Sequence, residues 1–180
     1  LKNQGKDPGL VLPSDYPEHF GWMPNIDKIV IYDRDQDEAV RLIKEADFLV
    51  CLDFNSLDRI QPIGDTIDEK EDVPSILIDH HLDPKGFTKY LFSEPQASST
   101  CELVFTLWDI TGETNDINQT VAECLYTGLV TDTGSFRFST SPRLFRILAT
   151  LKEIGIRDSM VQNHIFNSNT EKQMRLLGHC

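Results

Sequence analysis

The sequence predicts an α/β fold: a twisted, mostly parallel sheet with helices on both faces. Three observations carry that expectation. Short apolar runs rich in β-branched residues alternate with segments whose apolar residues recur at helical spacing, as in βαβ units. Several apolar runs deliver Asp or His at their carboxyl ends, where open parallel sheets bind ligands. At 180 residues, with 39% hydrophobic and 26% charged, the chain suits one globular domain.

Residues 9–13 read as a short buried strand closed by a turn through Asp15-Tyr16-Pro17, and residues 28–32 as a second strand. A helix begins near Asp37 and sets Ala39, Val40, Ile43 and Ala46 on one face. The strand at 48–52 runs into Asp53. Leu57, Ile60, Ile63 and Ile67 predict a helix or helical loop, broken at Pro62-Ile63-Gly64. Residues 75–78 form the fourth strand, leading into Asp79-His80-His81, and 89–92 the fifth. Ser98-Ser99-Thr100 caps a helix that buries Leu103, Val104, Leu107 and Trp108. Residues 118–130 are helical and deliver Thr131-Asp132-Thr133-Gly134-Ser135-Phe136. Pro142 opens a helix that Gly155 ends, and Asp158 and Thr170 are placed as N-caps of the last two.

The balance is acidic, 17 Lys and Arg against 29 Asp and Glu, for a net charge of -12. Sequence-independent grip on long nucleic acid needs basic surface, so this balance favours a small substrate or a metal-screened site. Cys51, Cys101, Cys124 and Cys180 show no Cys-x-x-Cys spacing and read as ordinary thiols of a reducing cytoplasm. No apolar run approaches the about 18 residues of a membrane span, so no membrane association is expected. The polar start lacks both a signal-peptide pattern and an initiating Met, which predicts a chain beginning partway through a larger protein.

Asp53 either caps the next helix or ligates a metal. His80 and His81 point to opposite sides if strand alternation continues, so they are not expected to share one job. Asp with His, and no Cys among them, suits Mn²⁺ or Mg²⁺ better than structural zinc. Asp132 is placed just past the end of its helix, where the dipole disfavours an anion unless a cation is near. Gly134 permits a tight turn there. Arg137 is either a bidentate phosphate donor or a surface salt bridge. Ser98-Ser99-Thr100 is either an anion site at a helix N-terminus or plain capping. Arg59, Asn163 and His164 stand under the same two kinds of reading. Asp33-Arg34-Asp35 and His19 read as surface or packing.

Cys51-Leu52-Asp53-Phe54, Asp79-His80-His81 and Thr131-Asp132-Thr133-Gly134-Ser135-Phe136 stand in that order, each at an element end. Together they resemble the DHH phosphoesterase family, above all its bacterial oligoribonuclease and phosphoadenosine-phosphate phosphatase branch. Pro13-Ser14-Asp15-Tyr16-Pro17, Ala97-Ser98-Ser99-Thr100 and Ala122-Glu123-Cys124-Leu125-Tyr126-Thr127-Gly128 extend the likeness over nearly the whole chain. The resemblance implies hydrolysis of short oligoribonucleotides or 3′-phosphoadenosine 5′-phosphate with two Mn²⁺ ions, Mg²⁺ being the alternative, and is compatible with a homodimer. It implies that Asp53 bridges the ions and that His80 and Asp132 complete the second. It further assigns His81 to the scissile phosphate, with Asp79 orienting an imidazole and Arg137 available to a phosphate oxygen. Rival readings are a RecJ-like exonuclease, a cyclic-dinucleotide phosphodiesterase, a pyrophosphatase, or a non-catalytic nucleotide-binding module. The family's first motif, His-x-x-x-Asp-x-Asp, is not found in residues 1–28. Residues 1–180 are therefore expected to be a partial catalytic domain. It would lack its first strand and the smaller C-terminal substrate domain, and be marginally stable and inactive alone.

Overall fold

In the computed structural model, which describes residues 5–70, 72–167 and 175, every pair of hydrogen-bonded strands is parallel. β1 (Val11–Leu12) pairs with β2 (Val30–Ile31). β3 (Leu49–Leu52), β4 (Ser75–Asp79) and β5 (Tyr90–Ser93) form a second sheet in that order. The parallel strands are thus divided into a pair and a triplet among the described residues. β1 is half-buried rather than buried, with Leu10 beside it exposed.

Helices cover both faces of the triplet. α1 (Gln36–Glu45) and α2 (Ile63–Asp68) contribute Ala39, Ile43 and Ile63 to a cluster that takes in Val11, Val30 and Leu49. Leu49 is in register with Ser75, so Ile76 and Ile78 point to the opposite face. There they meet Leu103 and Leu107 of α3 (Thr100–Thr111). The largest core lies among α3, α4 (Gln119–Asp132), α5 (Pro142–Ile154) and α6 (Asp158–Phe166), around Leu129, Val130, Leu144, Leu151 and Val161.

Local chemistry accounts for most element ends. Asp35 accepts from the Glu38 amide and starts α1, which gives the Asp33-Arg34-Asp35 stretch its structural use. Ser99, Asn118 and Ser141 cap α3, α4 and α5 in the same way. Gly112 and Gly155 close α3 and α5 with left-handed backbones. The break expected at Pro62 is present, between a 3-10 turn at Leu57–Ile60 and α2. One assignment is corrected: Arg157, not Asp158, is the N-cap of α6, and its side chain does not cap. Glu123 of α4 takes over, accepting from the Arg157 amide and guanidinium. Asp158, one residue on, pairs with Lys152 instead. Thr170 lies outside the described residues.

Candidate metal centre

β3 and β4 run in register, Leu52 opposite Ile78, and the Asp53 amide extends the ladder by donating to the Ile78 carbonyl at 3.2 Å. Asp53 and Asp79 therefore leave the sheet at the same level. Asp53 has φ of 68°, in the left-handed region that non-glycine residues enter uncommonly and Asp more readily than most.

β4 stops at Asp79, so the pleat does not carry on through the two histidines. Their rings do not point to opposite sides as expected; the centroids are 5.0 Å apart at 58°. Ligand atoms of Asp53, His80 and His81 all lie within 4.8 Å of one another. His80 Nδ1 donates to the Ala97 carbonyl at 3.3 Å, which leaves the Nε2 lone pair free. Nε2 sits 3.6 Å from Asp53 Oδ1 and 3.9 Å from Asp132 Oδ2. Asp53 and Asp132 thus both approach His80 Nε2, while the group within 4.8 Å of one another is Asp53, His80 and His81.

Asp132 is the last residue of α4 rather than just past it, because the helix runs two residues beyond the expected Val130. Burial, followed by the like charge of Asp53, pushes its carboxyl above the ordinary value, with His80 and His81 opposing. Asp132 at the negative end of α4, with the Asp53 carboxylate nearby, makes a place where a cation would be favoured. Behind Asp132, Gly134, Ser135 and Phe136 turn with φ of 54°, 61° and 63°. A Cβ on Gly134 would lie 3.1 Å from the Phe138 ring, so space as well as conformation favours glycine.

Asp79 is fully buried and accepts from His81 Nδ1 at 2.7 Å, freeing His81 Nε2. Its Oδ2 and the Ser93 hydroxyl of the neighbouring strand are buried with no hydrogen-bond partner among the described residues. Of the Ser98-Ser99-Thr100 hydroxyls, that of Ser99 caps α3, while Thr100 Oγ1 donates to Asp53 Oδ1 at 2.7 Å. The Ser98 amide is held by the buried Glu102 carboxylate, which Arg143 also binds. Cys101 adjoins both acids: burial first, then Asp132 and Asp53, pushes its thiol up to about 12, so it stays neutral. Thr100 was read from the sequence only as part of an anion site or a helix cap, and Cys101 only as an ordinary thiol.

Arg137 is exposed in the turn after Asp132 and forms no salt bridge among the described residues. Arg59 is exposed as well. Asn163 accepts from Asn167, and His164 stacks on Trp22. His19 packs on Phe20. None of these joins the cluster.

The family model described as "DHH family, N-terminal domain" matches residues 10–129. The chain belongs to the DHH family. Asp53, Asp79, His80 and His81 fall inside the matched stretch; Asp132 and Arg137 follow it. The cyclic-di-AMP phosphodiesterase GdpP of Bacillus subtilis is 33% identical over 93 residues, 50% of this chain and 14% of that protein. The bifunctional oligoribonuclease and PAP phosphatase NrnA of Thermus thermophilus is 34% identical over 83 residues, 46% of this chain and 25% of that protein. An exopolyphosphatase-related protein from Bacteroides fragilis superposes with a TM-score of 0.95 at 38% identity, over 99% of this chain and 52% of that one. The chain thus spans a quarter or less of these curated relatives and about half of the solved structure. No helix among the described residues is long and apolar enough to cross a membrane.

Proposed function

We propose that the protein is a metal-dependent phosphoesterase acting on short oligoribonucleotides or 3′-phosphoadenosine 5′-phosphate in the cytoplasm. The convergence of Asp53, His80 and Asp132 at the carboxyl ends of β3, β4 and α4 carries this reading. The donor set fits a divalent cation: two carboxylates face an imidazole nitrogen whose lone pair is free, with no thiolate among them. Mn²⁺, or Mg²⁺, would supply Lewis-acid charge stabilisation and a water acidified for attack on phosphorus.

The chain's own residues have these parts. Asp53, His80 and Asp132 would hold the divalent cation, with Asp53 the carboxylate shared between two ions where a second is bound. His81 presents Nε2 to the scissile phosphate or to the leaving oxygen. Asp79 holds the proton on Nδ1, and Arg137 offers its guanidinium to a phosphate oxygen. The net charge of -12 supports a small substrate over a long duplex.

The test uses the complete natural protein with Mn²⁺, offered a diribonucleotide, 3′-phosphoadenosine 5′-phosphate, cyclic di-AMP and pyrophosphate. Release of mononucleotide from the dinucleotide, or of phosphate from 3′-phosphoadenosine 5′-phosphate, is expected to be fastest. Asp132→Ala should abolish it with an unchanged circular-dichroism spectrum. Preference for the cyclic dinucleotide or pyrophosphate would move the protein to a rival branch. Near wild-type turnover by Asp132→Ala would mean that the site is misplaced.

A further inference from the structure

We propose that Thr100 is a positioning residue that fixes the orientation of the Asp53 carboxylate for cation binding. The proposal rests on the metal-centre reading above. The backbone of Asp53 is pinned from one side by its amide bond to Ile78, in a left-handed conformation. Its side chain has no such restraint of its own. Rotation of an Asp carboxylate about χ2 is broad, unlike that of a three-well aliphatic torsion. The Asp53 side chain is also 53% exposed, so water would otherwise compete for both oxygens. A ligand that must meet a cation and the His80 and Asp132 donors at fixed distances needs that rotation stopped.

Thr100 is built to stop it. Its hydroxyl lies 2.7 Å from Asp53 Oδ1, the range of a charge-assisted bond, and donates across 47 positions of sequence. It is 6% exposed and occupies the first position of α3, and its β-branch limits χ1. The helix start beneath it is itself held by the buried Ser99 cap and by Glu102, which binds the Ser98 amide and Arg143. The donor is therefore rigid where the acceptor is not. One hydroxyl can occupy only part of one oxygen, so Oδ2 and the remaining Oδ1 lone pair stay open to a cation. Within the triplet the labour is divided: Ser99 serves the helix and Thr100 serves the site.

The experiment compares Mn²⁺ binding by calorimetry to the complete natural protein with Thr100→Val, Thr100→Ser and, as a control on the same helix, Thr106→Val. Thr106 donates to the Glu102 carbonyl and to no other group among the described residues. Thr100→Val keeps shape and branching but loses the donor, and should weaken Mn²⁺ about fivefold or more. Thr100→Ser should stay within about twofold of wild type, as should Thr106→Val. Equal affinity for wild type and Thr100→Val overturns the proposal, as does equal weakening by Thr106→Val. A wild-type chain that takes up no Mn²⁺ overturns the metal-centre reading instead. In that case a crystal structure of metal-free Thr100→Val decides the clamp: a rotated or disordered Asp53 carboxylate supports it, and an unmoved one overturns it.

Discussion

At Asp79 the proposed function and the stability of the fold make opposite demands on one residue. It is fully buried, one oxygen holds His81, and the other has no partner among the described residues. A buried polar atom left unpaired costs about 1–3 kcal/mol, and more when charged. Asp79→Asn removes the charge but reorients or releases the imidazole whose Nε2 faces the site. Loss of such an outer partner typically lowers activity or metal affinity about 10–100-fold. The expected result in the complete protein is therefore lower turnover with an equal or higher melting temperature. Lower turnover accompanied by a lower melting temperature would show that Asp79 mainly supports the fold. At this scale the closeness of Asp53 and His80 was foreseeable because each follows an apolar run at a strand end. Thr100 was not, because a hydroxyl that clamps a distant carboxylate has the same local sequence as one that caps a helix.

At the scale of elements, the approach of α3 to α4 decides whether Asp132 reaches Asp53 at all. Gly128 allows it: a Cβ there would sit 2.2 Å from Cys101 Sγ and 3.0 Å from its Cβ. Gly128→Ala gains about 1 kcal/mol of helix propensity but meets an overpacking cost of about 1–3 kcal/mol. A lower melting temperature and weaker Mn²⁺ binding are expected together, with Cys101→Ala in the same chain recovering part of both. A Gly128→Ala chain that is more stable than wild type would show that the gap is not needed. Gly128 was readable as a packing glycine, but its partner, 27 positions away, was not. The same limit explains α6, where Asp158 looked like the cap. Glu123, supplied by another helix, does that work on the Arg157 amide. Strand positions, the break at Pro62 and most caps were readable because each is set by residues within a turn or two.

For the whole molecule, the site depends on folding, since its donors come from positions 53, 80 and 132 and meet only when β3, β4 and α4 are packed. The sheet those strands belong to was foreseen as parallel and helix-covered. Its division into a pair and a triplet was not, because local sequence does not say which edges meet. Exposed Phe48, Val50 and Leu52 along β3 belong to the same unforeseen arrangement. A cation that binds only the packed arrangement stabilises it by mass action, by about 2.7 kcal/mol at one hundred times its dissociation constant. Among the described residues one His and carboxylate cluster is present, so calorimetry of this polypeptide should read one Mn²⁺ per chain. The melting temperature should climb with Mn²⁺ concentration, and His80→Ala should flatten that climb. Two ions per chain would reveal donors beyond this cluster, and a melting temperature indifferent to Mn²⁺ would mean that the convergence of Asp53, His80 and Asp132 binds no metal.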